Sequence, residues 1–165
     1  MSKQLRMIIL CAVTIMGLSS CIKEVINGSG PEISEVRSTG SFNGIDLAFG
    51  AKVYYVQDTF YKVEVRAQQN VLREIITEVS NNRLLIKLPL GVTLFSHSAI
   101  NVYITAPAVS NFNVSGTGTI EAMDNITVNN TDINVSGSGA VKIADLVTND
   151  IDVKMTVIEV LSLIK

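Results

Sequence analysis

The sequence predicts an all-β chain wound into a β-solenoid, and three observations carry that expectation. A unit repeats in the carboxy-terminal half: Phe112-Asn113-Val114-Ser115-Gly116-Thr117-Gly118-Thr119-Ile120 recurs twenty-one positions later as Ile133-Asn134-Val135-Ser136-Gly137-Ser138-Gly139-Ala140-Val141. Other runs, such as Tyr61-Lys62-Val63-Glu64-Val65-Arg66-Ala67, alternate apolar and charged residues with the period of two that a half-buried strand requires. Gly116, Gly118, Gly137 and Gly139 break each repeat as a tight turn, where glycine supplies a positive φ or lets two backbones approach closely. A repeat of this length, with β-branched residues facing one way and Asn, Ser and Thr the other, suits coils that each cover a neighbour.

Before the strands comes an export signal. Lys3 and Arg6 form a short basic region, and Met7 to Leu18 is apolar apart from Thr14 and Gly17. That run falls short of the about 20 apolar residues needed to span a bilayer, so residues 1–20 read as a removable signal peptide. Leu18-Ser19-Ser20-Cys21 resembles the lipobox of bacterial lipoproteins. Small side chains fit a peptidase cleft, and the Cys21 thiol is the nucleophile that accepts a diacylglycerol. The competing reading is an ordinary secretory signal that happens to end on a cysteine. With lipidation, the first partner is a membrane, held through Cys21. Ile22 is not the aspartate that retains lipoproteins on an inner membrane, which favours the outer membrane on either its surface or its periplasmic face.

Removing residues 1–20 leaves 145 residues, one domain's worth, and takes away two basic and no acidic residues. The balance moves from 13 against 15 to 11 against 15, a net charge of −4, which argues against nucleic acid as a partner. Cys11 leaves with the signal, so the mature chain has no second thiol and no disulfide framework. One histidine and no free cysteine exclude the usual nitrogen and sulfur metal sites, and no cofactor is expected.

Residues 21–40 contain Asn27-Gly28-Ser29-Gly30-Pro31 and read as a flexible tether. The domain proper is expected over 41–153. After Tyr61–Ala67, Val71, Leu72, Ile75, Ile76 and Val79 fall on one helical face behind a candidate Asn70 cap. The alternative is a helical turn at 70–73 and a strand at 74–79 that hairpins through Asn81-Asn82 onto 83–88; it is preferred because the turn sits where a hairpin needs it. Ile100–Thr105 alternates again and stops before Pro107, and Asn125–Asn129 is a further short run. A third unit begins at Asn149-Asp150-Ile151-Asp152-Val153, aligned with Thr131-Asp132-Ile133-Asn134-Val135, but Lys154-Met155-Thr156-Val157 stands where the glycine turn stood. Residues 154–165 are thus an atypical tail. Whatever forms there must cover an exposed coil edge.

Candidate chemistry is sparse. Asp124, Asp132, Asp145, Asp150 and Asp152 are the acids of the repeat region, and clustered carboxylates, with or without calcium, serve polysaccharide-cleaving enzymes. They stand beside turns or at strand starts, where aspartate caps backbone amides or stays solvated. The Ser-Gly-x-Gly turns are not phosphate cradles, since neither opens an amphipathic helix. His97 has no partner at a telling spacing, and no serine sits in a Gly-x-Ser-x-Gly elbow. Phe42, Phe49, Tyr54, Tyr55, Tyr61 and Tyr103 read as core or strand-face residues, and without tryptophan the commonest sugar-stacking platform is missing. Asn113, Asn125, Asn129 and Asn134 open Asn-x-Ser/Thr sequons and are expected to form polar rows along the coils.

With Ser41-Phe42-Asn43-Gly44-Ile45-Asp46-Leu47, the strand Gly50-Ala51-Lys52-Val53-Tyr54-Tyr55-Val56-Gln57, the middle hairpin and two spaced glycine turns in order, residues 36–153 resemble the head GIN domain, a putative auto-transporter adhesin domain common in lipoproteins of Bacteroidetes. The resemblance implies a right-handed parallel β-helix of pectin-lyase-like form without the catalytic residues, and a role in adhesion. It also implies more coils than this chain shows. Either residues 154–165 are a native amphipathic cap, or the end is a truncated, frame-shifted reading, and the second is preferred. The function expected is a non-enzymatic envelope lipoprotein whose polar faces bind a glycan or a protein on another surface. The alternatives are a structural or sensing module with a protein partner, and a polysaccharide-active enzyme.

Overall fold

The computed structural model describes residues 24–156. The expected signal peptide over 1–20, the lipidation site Cys21 and the tail from residue 157 onward lie outside the described residues.

The described residues form an all-β fold with one short helix. In chain order come β1 (Glu24–Ile26), β2 (Glu32–Arg37), β3 (Gly44–Leu47), β4 (Lys52–Gln57), β5 (Lys62–Gln68), α1 (Gln69–Glu74), β6 (Ile76–Ser80) and β7 (Arg83–Lys87). Then follow β8 (Val92–Leu94), β9 (Asn101–Ala106), β10 (Asn111–Val114), β11 (Thr119–Thr127), β12 (Asn130–Val135), β13 (Ala140–Val147) and β14 (Asp150–Met155). Sheet I has the order β14-β12-β10-β3-β7-β6, sheet II the order β13-β11-β4-β9-β5-β2, and β1 with β8 makes a separate ribbon.

Alternation decides which side chains meet. Along β12, Thr131, Ile133 and Val135 are buried while Asn130, Asp132 and Asn134 are exposed, as a strand with one dry face must be. Ile45, Leu84 and Phe112 from sheet I and Val53, Val65, Val102 and Ile120 from sheet II belong to one core cluster. Parallel pairing links the strands on either side of the glycine turns: β3 with β10, β10 with β12 and β12 with β14 in sheet I, β4 with β11 and β11 with β13 in sheet II. Phe112 lies beside Ile133 and Val114 beside Val135, so the sequence repeat is the pairing register itself. β11 absorbs one extra residue between Ala122 and Asn125, a bulge against β13.

Spatial order departs from chain order. After β4 the chain runs out through antiparallel β5 and β6, returns as β7 and β9 on one flank of β3 and β4, and then crosses to the other flank as β10 and β11. The earliest domain strands therefore lie in the middle of both sheets.

The middle hairpin forms as the preferred sequence reading has it. Residues 69–74 are helical, β6 pairs antiparallel with β7, and Asn81 and Asn82 have φ of 51° and 59°, the left-handed pair of a tight hairpin turn. Asn70 does not cap the helix. Its Oδ1 accepts from the Ser29 amide at 2.7 Å and its Nδ2 donates to the Asn27 carbonyl at 2.7 Å.

Two further expectations change. The stretch 21–40 holds β1, paired parallel with β8, and β2, paired antiparallel with β5. Ile33 and Val36 are exposed on β2, so backbone pairing rather than apolar burial fixes this strand, and residue composition gives no sign of it. The third repeat unit is paired two residues away from its sequence alignment: Asp152 stands beside Asp132 and Val153 beside Ile133. A slip of two keeps every side chain on its expected face, and the Thr156 amide still reaches the Val135 carbonyl at 3.0 Å.

Candidate functional site

The outer face of sheet II carries the most distinctive chemistry. In Lys52-Val53-Tyr54-Tyr55, alternation sends Val53 and Tyr55 into the core and leaves Lys52 and Tyr54 outside. Tyr103 points outward from β9 in the same way, and the parallel register sets it beside Tyr54. Their rings stack with centroids 5.2 Å apart and planes 12° from parallel. Lys52 Nζ lies 4.8 Å from the Tyr54 centroid and 3.1 Å from Glu121. Hydrogen bonding to Tyr54 and then to Glu121 raises the Lys52 pKa above the usual lysine value. Glu64 neighbours Tyr103 on β5, and its carboxyl is held below the usual range chiefly by a hydrogen bond from Lys62, 2.9 Å away. Lys142 neighbours Glu121 on β13. The result is a strip in register, Glu64-Tyr103-Tyr54-Glu121-Lys142, with a mutually stacked tyrosine pair at its centre and charged hydrogen-bonding groups at both ends. Such a strip can stack an apolar ring face and bind hydroxyls around it.

The outer face of sheet I is polar without aromatics. Arg83 grips Asp46 through both guanidinium nitrogens facing it, Nε lying 2.8 Å from Oδ2, and the hydrogen bond raises the arginine pKa further. Beside this pair is a shallow groove lined by Arg83, Asn111, Asn113, Asp132 and Asn134. Of the four expected asparagines only Asn113 and Asn134 stand side by side, whereas Asn125 neighbours Asp145 on sheet II and Asn129 lies between strands; the amide that hydrogen-bonds here is Asn111 Nδ2, to Ser110 Oγ at 2.9 Å. The acids fall on both sheets rather than in one cluster, with Asp152 beside Asp132 in register. Asp124 and Asp145 are on strands of sheet II, whereas Asp132, Asp150 and Asp152 are on sheet I, where Lys154 pairs with Asp152 at 2.9 Å. Among the described residues no three histidine, cysteine or carboxylate side chains cluster as metal ligands.

The glycine turns stack at the corner between the sheets. A Cβ on Gly118 would lie 2.5 Å from both Leu47 Cδ2 and the Phe49 carbonyl oxygen, and one on Gly139 would lie 2.5 Å from the Gly118 carbonyl oxygen. Gly137 has φ of +119° and its Cβ would meet the Gly116 carbonyl at 2.7 Å. Close approach between turns explains these glycines. His97 is an exposed loop residue whose Nδ1 lies 2.7 Å from the Ser98 carbonyl. Phe42, Phe49 and Tyr55 are core residues. The Tyr55 hydroxyl donates to the Ala106 carbonyl at 3.2 Å, and burial pushes its pKa up to about 12.

Sequence reasoning did not bring Tyr54 and Tyr103 together. Alternation marks both as outward-facing, but their contact depends on β4 and β9 being neighbours, with β5 to β8 between them in the chain.

The family model described as "Putative auto-transporter adhesin, head GIN domain" matches residues 41–163. Among solved structures, a "putative adhesin" from Bacteroides fragilis superposes with a TM-score of 0.75 at 23% identity, over 79% of this chain and 61% of that one. A "putative lipid binding protein" from Parabacteroides distasonis gives 0.69 at 16% identity, over 80% and 65%. A "putative adhesin" from Parabacteroides merdae gives 0.62 at 14% identity, over 79% and 61%. At these identities the likeness is one of fold, and this chain spans less than two thirds of each of those structures. A search of curated proteins returns no match.

Proposed function

From the premise that the chain belongs to the head GIN domain family, we propose that it is a lipid-anchored, non-catalytic adhesin of the cell envelope that binds a surface glycan through the outer face of sheet II. The observation that carries this reading is the stacked Tyr54–Tyr103 pair, whose Tyr103 is 42% exposed, bracketed by Lys52, Glu121 and Glu64. A pyranose presents one apolar face to an aromatic plane and a rim of hydroxyls to charged partners, which is the pattern this strip complements. The non-catalytic part of the reading is supported by the spread of the repeat-region acids over both sheets, Asp124 and Asp145 on one and Asp132, Asp150 and Asp152 on the other. Anchoring rests on the basic and apolar leader ending at Ser20-Cys21.

In the same proposal the domain is a right-handed parallel β-helix. In-register parallel pairing of successive repeats supports it, and so does the right-handedness of about 98% of crossovers between parallel strands.

The test is retention of the purified mature protein on an array of bacterial and host glycans, compared with Tyr103→Ala and Lys52→Ala. Loss of ring stacking is expected to weaken binding about 2- to 10-fold, with no change in the glycan recovered. Equal retention by Tyr103→Ala, or shortened glycan products, would count against the reading. External protease applied to intact cells distinguishes an outward-facing adhesin from a periplasm-facing one.

A further inference from the structure

We infer that the β1–β8 ribbon is a membrane-contact surface, in which Leu90 and Phe95 enter the lipid interface beside the anchor. The inference rests on the reading of Cys21 as the lipidated residue, and it adds how the domain sits on the bilayer.

The first observation is reach. Glu24 is already in β1, so only three peptide units separate it from Cys21, about 11 Å at full extension. β1 is not free to swing. Glu24 N donates to the Gly91 carbonyl at 2.8 Å, Phe95 N donates to the Ile26 carbonyl at 3.1 Å, and Gly28 N donates to the Ser96 carbonyl at 2.5 Å. Ile26 and Leu94, aligned across the ribbon, pack against the domain core. Beyond the ribbon, Asn70 holds Asn27 and Ser29. An acyl group on Cys21 therefore fixes this corner of the domain near the headgroups, and Leu90, next to the carbonyl that Glu24 engages, comes within on the order of 20 Å of it.

The second observation is what that corner exposes. Leu90 is fully exposed, Phe95 is 79% exposed and Val25 is 55% exposed, at the two ends and the middle of one short ribbon. Large apolar side chains gathered in this way mark an interaction surface rather than scatter. The third is charge. Residues 88–100 contain no Asp, Glu, Lys or Arg, and Glu24 at the start of β1 is the one charged residue of the two ribbon strands, so no ionic group accompanies Leu90 and Phe95 into an interface and no basic cluster there selects anionic headgroups. A bilayer boundary, where apolar groups sink about 5–10 Å, is the occupant that both the tether length and this composition fit.

The sequence has no tryptophan, which makes a single reporter clean. Full-length lipidated protein carrying Phe95→Trp would be placed in vesicles of phosphatidylethanolamine and phosphatidylglycerol with brominated acyl chains. The ribbon adjoins the glycine corner, Leu90, Val92 and His97 lining one groove with Phe49, Gly50 and Thr117, so Phe60→Trp, beyond the far end of β4 and thus about 17 Å or more from that corner, is the control. The expected result is a blue shift and bromine quenching for Phe95→Trp and neither for Phe60→Trp. Vesicle-bound protein in which both reporters stay unshifted and unquenched overturns the contact surface while leaving the anchor intact. If Cys21 and Cys21→Ser proteins alike fail to co-float with vesicles, the anchor reading fails and takes this inference with it.

Discussion

A methyl group on Gly118 has nowhere to go, because Leu47 Cδ2 and the carbonyls of Phe49 and Ala51 already occupy the space within 2.7 Å. Two of those three neighbours are backbone and cannot rotate away, so Gly118→Ala is expected to cost about 1–3 kcal/mol, the range for overpacking a tight site. Gly40, where an added methyl would find nothing within 4 Å, is the control and should stay within about 0.5 kcal/mol. Urea unfolding of both variants checks this, and equal midpoints would show that the turns do not stack as closely as described. Tyr55 gives a pH prediction. Its phenol is buried and its pKa is raised from 10.0 to about 12, so the fold favours the neutral form. That contribution is complete below pH 10 and is lost as pH rises from 10 to 12, about 2–3 kcal/mol at 1.36 kcal/mol per unit. Tyr55→Phe loses one hydrogen bond to the Ala106 carbonyl at neutral pH, about 1 kcal/mol, but should lose less stability than wild type between pH 10 and 12. Lys52 and Lys154, both raised above the usual lysine value, titrate in both proteins, so the difference between the two curves isolates the phenol.

Local elements follow local chemistry, and the β6–β7 hairpin shows how far that goes. Both turn residues have positive φ, which asparagine tolerates and a β-branched residue does not. Asn82→Val is therefore expected to cost about 1–2 kcal/mol, while Asn82→Gly should be neutral or slightly stabilising; matching denaturation midpoints for the two variants would refute the turn assignment. β5 and β9 are legible in the sequence, since alternation over six or seven residues needs no knowledge of a partner, and β7 is legible from the Asn81-Asn82 turn that precedes it. β2 is not legible, because Ile33 and Val36 are exposed and the strand is held by its ladder to β5. The β12–β14 register is half legible: matching Asp-Ile-Asp-Val to its counterpart finds the right faces but misses the offset, which depends on how the chain turns after β13. The candidate site suffers most. Outward-facing Tyr54 and Tyr103 can each be read from their strands, but the pair exists only through the adjacency of β4 and β9.

At the scale of the whole molecule, the order of strands in space sets an order of stability that the chain order would not suggest. β3 is paired on both edges, by β7 and β10, and β4 by β9 and β11, whereas β14, β13, β6 and β2 are the outer strands of the described sheets. Every residue of β14 is exposed, and its inward-parity side chains Ile151, Val153 and Met155 are only partly covered. An outer strand can open after breaking one ladder, but β3 and β4 cannot open without disrupting the core that Ile45, Leu47, Val53 and Tyr55 share with both flanks. Amide hydrogen exchange should therefore be slowest at those four residues and fastest along β2 and β14, with protection falling away on both sides of the β3–β4 pair. The same topology delays folding, because β3 gains its second partner only after the chain has made β4 to β9 and returned as β10; closing such non-local pairs places β folds in the range of about milliseconds to seconds. Protection that declined steadily from the amino to the carboxy terminus would mean that the strands stack in chain order, and the crossing of β10 to the far flank of β3 would then be wrong.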